Sequence, residues 1–178
     1  MVNLAVIMCG GKSSRFSRDK SLFNYKGRTM ISYILEALEE TGVKKVILQA
    51  NKLNKMQVEE EAEKYLKNFI VFSNPPPRYR EFIRVSGDSL ERSFFLLGGN
   101  QPMKKDFLVK LENLHKEKNR WIVTLYPREV SEILPETKFV SLSYDKRVFE
   151  DSSGKFVLHP PFIITKDLLQ NSQTQKSA

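Results

Sequence analysis

The chain has 178 residues, 40% of them hydrophobic, a formal charge of +8 and one cysteine, Cys9. That length and apolar content suit a single domain with a continuous core, expected over residues 1–170 with a flexible tail over 171–178. A lone cysteine forms no internal disulfide and no Cys/His cluster has metal-ligand spacing, so a reduced, cytoplasmic setting is expected.

The apolar runs are too short to cross a bilayer and no basic stretch precedes an apolar run at the N-terminus, so neither a membrane span nor a leader is expected. Positive charge attracts nucleotides and nucleic acids alike, but Lys and Arg are interleaved with Glu along the whole chain, the pattern of a solvated surface.

Leu4 to Met8 is a short apolar run ending at Gly10 and Gly11, as a buried parallel strand ends at a turn. Ile31, Ile34, Leu35 and Leu38 recur at helical spacing and predict a helix from Met30 to Glu40, capped by Thr29 and ended by Gly42. A strand from Lys45 to Gln49 follows. Asn54 is placed to cap a helix whose apolar side is Val58, Ala62, Tyr65 and Leu66, and Phe69 to Phe72 reads as a third strand. Pro75, Pro76 and Pro77 then mark a loop.

Phe94 to Leu97 is the next apolar run, closed by Gly98 and Gly99. Phe107, Leu108, Leu111 and Leu114 share one face of a helix from Lys104 to Lys118. Arg120 to Leu125 and Phe139 to Leu142 read as strands, Phe156 to Ile164 as extended, and Thr165 as the cap of a short helix through Gln170. Alternating strands and helices imply an α/β, three-layer, Rossmann-like domain with a mostly parallel sheet. Ligands bind beyond the carboxyl ends of such strands. The two Gly pairs are therefore expected on one edge, with the chemistry.

After the first strand the chain reads Met8-Cys9-Gly10-Gly11-Lys12-Ser13-Ser14-Arg15-Phe16-Ser17-Arg18-Asp19-Lys20. Two glycines can turn with exposed amides, serines add hydroxyls, and Arg15 and Lys20 supply positive charge for a triphosphate. The P-loop motif fails because it needs glycine where Val6 stands, and the dinucleotide fingerprint of three spaced glycines is absent. From composition alone, an ordinary glycine turn followed by a solvated basic loop accounts for the segment as well.

The segment resembles the signature of the MobA-like nucleotidyltransferases, which include molybdenum cofactor guanylyltransferase. In that family a Leu-Ala-Gly-Gly turn is followed by Ser, Arg, a Met or Phe, a Gly and a Lys. Met8, Cys9, Gly10, Gly11, Ser13, Arg15, Phe16 and Lys20 match that order, with Ser17 in place of the glycine. Tyr25-Lys26-Gly27-Arg28-Thr29-Met30-Ile31 is similar to the family's turn into its first long helix. Ala50-Asn51-Lys52 fits the setting in which an asparagine helps hold the nucleotide, although a turn residue leading into a helix explains Asn51 equally. Leu97-Gly98-Gly99-Asn100-Gln101-Pro102-Met103 resembles the family's Gly-Asp-x-Pro segment, and Leu158-His159-Pro160-Pro161-Phe162 its His-Pro-Leu-Phe stretch.

The resemblance implies a nucleotidyltransferase that moves GMP from GTP to a phosphorylated acceptor such as molybdopterin, with magnesium as cofactor. It implies nucleotide contacts at Met8, Cys9, Gly10, Gly11, Ser13, Arg15, Lys20, Asn51 and Asn100, catalytic charge neutralisation by Arg15 and Lys20, and the metal near Asn100. Three departures stand out. Asn100 occupies the place of the magnesium-holding Asp, which leaves Asp88 and Asp106 as candidate compensating carboxylates. Ser73-Asn74 and the prolines replace the family's base-reading loop, and nothing after Gln170 resembles its Asn-x-Asn-Thr-Pro type segment.

Two alternatives to the enzyme remain at this level. One is a nucleotide-binding protein whose metal site is lost. The other is a nucleic-acid module built on Arg78-Tyr79-Arg80-Glu81-Phe82-Ile83-Arg84, where cations alternate with aromatics; the same segment reads equally as a lid over the nucleotide site. His115 and His159 are expected to be a helix-surface residue and a loop residue.

Overall fold

The structure is a computed structural model that describes residues 2–11, 19–73 and 93–117 in full, and residues 118, 122–126, 129–132, 138–142, 147–151, 154–157 and 162–165 by their backbone. The elements in order are β1 (Leu4–Met8), β2 (Asn24–Tyr25), β3 (Arg28–Thr29), α1 (Met30–Thr41), β4 (Lys45–Gln49), α2 (Lys55–Glu63), β5 (Phe69–Phe72), β6 (Ser93–Gly98) and α3 (Lys105–Lys118). The strands β7 (Ile122–Tyr126), β8 (Glu129–Glu132), β9 (Lys138–Leu142), β10 (Arg147–Asp151), β11 (Gly154–Val157) and β12 (Phe162–Thr165) follow.

Local signals place α1 where the sequence predicts it, whereas α2 stops at Glu63 and leaves Tyr65 and Leu66, expected on its apolar side, just beyond its end. Thr29 Oγ1 accepts a hydrogen bond from Ser32 N at 3.3 Å and starts α1. Gly42 ends it in the left-handed region at φ 80°, so that its amide reaches Glu39 O and the Val43 amide reaches Leu38 O. A β-carbon is costly in that conformation, and glycine carries none. Arg28 then ties α1 to the turn that follows α2: Nη1 meets Glu36 Oε2 at 3.0 Å, Nη2 donates to Tyr65 Oη at 3.2 Å, and the guanidinium lies 4.7 Å from the Tyr33 ring centroid.

A seven-stranded sheet runs β5, β4, β1, β6, β12, β7, β8. β5, β4, β1 and β6 are mutually parallel, whereas β12 runs antiparallel to both β6 and β7, and β8 antiparallel to β7. The sheet is thus mostly parallel, as expected, with two reversed strands, β12 inserted beside β6 and β8 at the edge. Phe139 to Leu142, read as a strand, joins β10 and β11 in a separate three-stranded antiparallel sheet. Residues 156–157 of the stretch expected to be extended lie in that same small sheet, and residues 162–164 in β12 of the main one. Thr165 is the last residue of β12, and the short helix expected after it lies outside the described residues, as does the tail.

Alternation along the strands explains the core. Ala5, Ile7 and Cys9 of the first strand and its exit, Val46, Leu48 and Ala50 beside them, and Phe95 and Leu97 of β6 share one cluster. It also holds Ile31, Ile34, Leu35 and Leu38 of α1, Val58 and Ala62 of α2, and Leu108 and Leu111 of α3. Successive side chains of a strand point to opposite faces, so the three described helices cover the same face. On the opposite face Leu4, Val6, Ile47, Phe94 and Leu96 are buried as well. Burial on both faces is why these strands read as unbroken apolar runs.

Phe95 is fully buried opposite Ala5, at the centre of this layer. Phe95→Ala should cost about 3–5 kcal/mol of stability. Urea denaturation should show a lowered midpoint with an unchanged slope.

Candidate functional site

Three strand ends meet at one level. Met8 of β1 lies opposite Gln49 of β4 on one side and Gly98 of β6 on the other. Cys9–Gly11, Ala50–Asn51 and Gly99–Asn100 therefore leave the sheet side by side. Cys9 N donates to Gln49 O at 2.8 Å and Gly99 N to Met8 O at 3.0 Å, which carries both ladders one step past the strands. The two Gly pairs do lie on one edge.

Gly99 marks a close approach. A β-carbon there would sit 2.8 Å from Ser21 Oγ, 2.9 Å from Cys9 Sγ and 3.2 Å from Met8 O. Only the absent side chain lets the ends of β1 and β6 pack against the chain segment that returns at Ser21. Ser21 is itself buried, and its carbonyl accepts from Ile31 N at 2.9 Å, which joins that segment to α1.

Cys9 shapes this turn. Its amide goes to Gln49, its carbonyl accepts from Asn54 Nδ2 at 2.8 Å, and its side chain is buried. Burial, and after it the nearby Asp19 carboxylate, push the thiol well above its ordinary range against a smaller opposing pull from a Ser21 hydrogen bond. It stays protonated near neutral pH, a small apolar filler and not a nucleophile. Gly10 is buried directly after it, and Gly11 is partly exposed.

Asp19 and Lys20 stand where the chain returns. Asp19 Oδ1 accepts from Ser21 N at 2.8 Å and Leu22 N at 3.3 Å, and its Oδ2 accepts from Asn54 Nδ2. Lys20, exposed, sits between two such anchored residues. Ser13, Arg15 and Phe16 lie outside the described residues, as do Asp88, His159 and the Arg78 to Arg84 segment.

On the β4 side, Asn51 Oδ1 accepts from Leu53 N at 2.8 Å and Asn54 N at 3.0 Å. That is the turn leading into α2, so a ligand contact from this side chain falls to its amide nitrogen. Asn54, expected to cap α2, occupies the N-cap position but makes no side-chain cap bond. Its amide is drawn away to Cys9 and Asp19. Asn100 is exposed at the end of β6, next to Gly99. His115, expected on the helix surface, is half-buried with Nε2 3.2 Å from Ser93 Oγ. It lies four residues after the buried Leu111 and shares its face.

Gly10 and Gly11 after β1, the asparagine after β4 and the Gly-Asn pair after β6 thus converge on one sheet edge. Over residues 5–84 the sequence matches the family of the MobA-like NTP transferase domain. Residues 5–84 belong to that family.

A probable molybdenum cofactor guanylyltransferase of Pyrococcus horikoshii is 34% identical over 58 residues, which cover 32% of this chain and 30% of that protein. The match thus spans less than a third of that relative's length. The fold extends further. The inositol-1-phosphate CTP transferase of T. maritima superposes with a TM-score of 0.63 at 17% identity, covering 98% of this chain and 75% of that one. A Mycobacterium tuberculosis protein in complex with manganese gives a TM-score of 0.57 at 16% identity, over 96% of this chain and 74% of that one.

The MobA-like segment and its neighbour β6 are a poor home for a metal held by the protein alone. Among the described residues no group of three His, Cys, Asp or Glu side chains converges. Asp19 is engaged by two amides and Asn54, Asp106 is exposed in the first turn of α3, and Asn100 offers one neutral oxygen. Gln101 Oε1, the other amide oxygen there, is buried without a partner, and it faces Gly98. A hard divalent cation needs several oxygens, preferably anionic, and these residues do not supply them. Among the described residues no helix is long and apolar enough to cross a membrane.

Sequence reasoning missed Asp19, Ser21 and Asn54. The signal available was Asp19 itself, one carboxylate among Arg15, Arg18 and Lys20.

Gly99→Ala should force Ser21 and Cys9 apart. A fall in melting temperature of several degrees, read by calorimetry, is expected from an overpacking cost of about 1–3 kcal/mol.

The Cys9 thiol supports a second expectation. Its folded-state pKa lies above the unfolded one, so the stability it contributes is fully present below the unfolded thiol's value, about 8.5, and declines as pH rises beyond it. Labelling by a thiol reagent at pH 8 should be slow in the native protein and fast in urea.

Proposed function

We propose that the chain is a nucleotidyltransferase in which an acceptor phosphate attacks the α-phosphorus of a nucleoside triphosphate and pyrophosphate leaves. The observation that carries this reading is the convergence of three loops at the carboxyl ends of the parallel strands β1, β4 and β6, the first two within the MobA-like segment. Such transfer requires positioning and charge neutralisation, and no protein nucleophile. Backbone amides of the Gly10-Gly11 turn and the cations Arg15 and Lys20 would hold the phosphates, and the Asn51 amide would hold the nucleoside.

The 34% identity to the P. horikoshii guanylyltransferase favours GTP as donor and a phosphorylated acceptor of the molybdopterin kind. The T. maritima CTP transferase makes CTP the competing donor to test. In this reading magnesium enters with the triphosphate as part of the substrate, with Asn100 as a neutral contact. A single domain in a cytoplasmic setting completes the proposal.

Asn100 favours one other reading, a nucleotide-binding protein without turnover. Pyrophosphate release with GTP, CTP, ATP and UTP, each with magnesium and a phosphorylated acceptor, separates the two. Release with one triphosphate supports the enzyme. Binding without release supports the alternative, and neither binding nor release overturns both.

Lys20→Ala should weaken triphosphate binding more than tenfold in calorimetry, on the order of the 1.5–3 kcal/mol of a hydrogen bond to a charged group. Asn100→Asp should add an anionic oxygen at the edge and tighten magnesium binding to the nucleotide-loaded protein by about tenfold. A magnesium titration monitored by pyrophosphate release checks it.

A further inference from the structure

Asn54 is 3% exposed, and its side-chain amide has partners in three pieces of chain. Its Nδ2 donates to Cys9 O, 45 residues away in sequence, and to Asp19 Oδ2, 35 residues away. Its Oδ1 accepts from Asn51 N at 2.8 Å, while Asn51 Oδ1 accepts from Asn54 N. A primary amide has two donor hydrogens, and here one goes to each end of the loop between β1 and Ser21. Cys9 is the residue before Gly10, and Asp19 the residue before Lys20.

We propose that Asn54 is a positioning residue that clasps the two ends of the phosphate loop together and fixes Lys20 relative to Asn51. Two observations separate this role from an ordinary helix cap. Asn54 stands at the N-cap of α2, yet its side chain makes no bond to that helix and leaves its first turn without a side-chain cap. The Asp19 carboxylate that it grips is meanwhile held on its other oxygen by the amides of Ser21 and Leu22, the residues immediately after Lys20. The amide thus bridges β1, the returning segment and the β4 exit, and a buried amide is costly to leave half-paired.

The clasp itself stands on the geometry. Its consequence for triphosphate binding rests on the function proposed above.

Limited trypsin digestion of the ligand-free protein tests the clasp without any nucleotide, because Lys12, Arg15 and Arg18 lie between the clasped ends. Asn54→Ala and Asn54→Asp should accelerate cleavage at those three sites at least tenfold, with cleavage at Lys110 and Lys116 of α3 unchanged. Asn54→Asp sets a carboxylate against both Asp19 and the Cys9 carbonyl, and adding Asp19→Asn restores the bond to residue 19 while leaving the Cys9 carbonyl without its donor. The double variant should therefore be cleaved more slowly than Asn54→Asp but faster than the wild type, a partial recovery that a general loss of packing would not allow, and it carries the test if the alanine variant fails to fold.

Wild-type cleavage rates in all variants, or no recovery in the double variant, would overturn the clasp. Calorimetry with magnesium and GTP, CTP, ATP or UTP then reads its effect on binding. For whichever triphosphate the wild type binds, a Kd at least tenfold weaker in Asn54→Asp is expected, and an unchanged Kd with an opened loop would overturn the positioning of Lys20. If the wild type binds no triphosphate, the proposed function falls, and the cleavage pattern still decides the clasp.

Discussion

Parallel pairing of β1 with β4 and β6 is the constraint on which the rest of the molecule depends. β1 is apolar throughout and buried on both faces except at Met8, which is half-buried, so it is stable only between two other strands and beneath helices. A slip of one residue against either neighbour would exchange its two faces, and Ala5, Ile7 and Cys9 would leave the cluster they share with α1. The hydrophobic demand on register therefore also sets where the three loops leave the sheet. The level of that edge is in this sense set by core packing.

At that edge the closest contacts are made by backbone and small side chains. Gly99 approaches Ser21, Cys9 and Met8, and the Cys9 thiol is held protonated inside the turn by burial and the nearby Asp19 charge. No described side chain there has the character of an activated nucleophile. An edge of this kind suits chemistry in which a polyanion is oriented and its charge met by amides and cations. The exposed Asn100, neutral at the end of β6, is consistent with a site that leaves cation binding largely to the substrate.

Much of the fold was legible because its signals are local. Thr29 and Gly42 bracket α1 through bonds to residues three or four positions away, and an apolar run followed by a glycine pair announces β1 and β6 without knowledge of the rest. The family could be read from Met8 to Lys20 because its signature is contiguous in the chain. The placement of β12 between β6 and β7, and the separate sheet of β9, β10 and β11, could not be read this way. A strand's apolar pattern reports that it is buried and says nothing of which neighbour it pairs with or in which direction.

Asn51 and Asn54 show the same division at the scale of single side chains. Both carry the mark of turn residues; sequence offers Asn54 as a cap and leaves Asn51 open between a turn into the helix and, by resemblance, a nucleotide contact. In the folded chain Asn51 makes the turn into α2, and Asn54 is drawn to Cys9 and Asp19. The sequence by itself determined the order of β1, α1, β4, α2, β5, β6 and α3, the edge on which the glycine pairs lie and the family of residues 5–84, since each depends on patterns a few residues long. Only the tertiary structure decided the partners of Asn54, the crowding at Gly99 and the reversed β12, because a side chain's hydrogen-bond partners and a strand's neighbours are chosen among groups far apart in the chain that folding alone brings together.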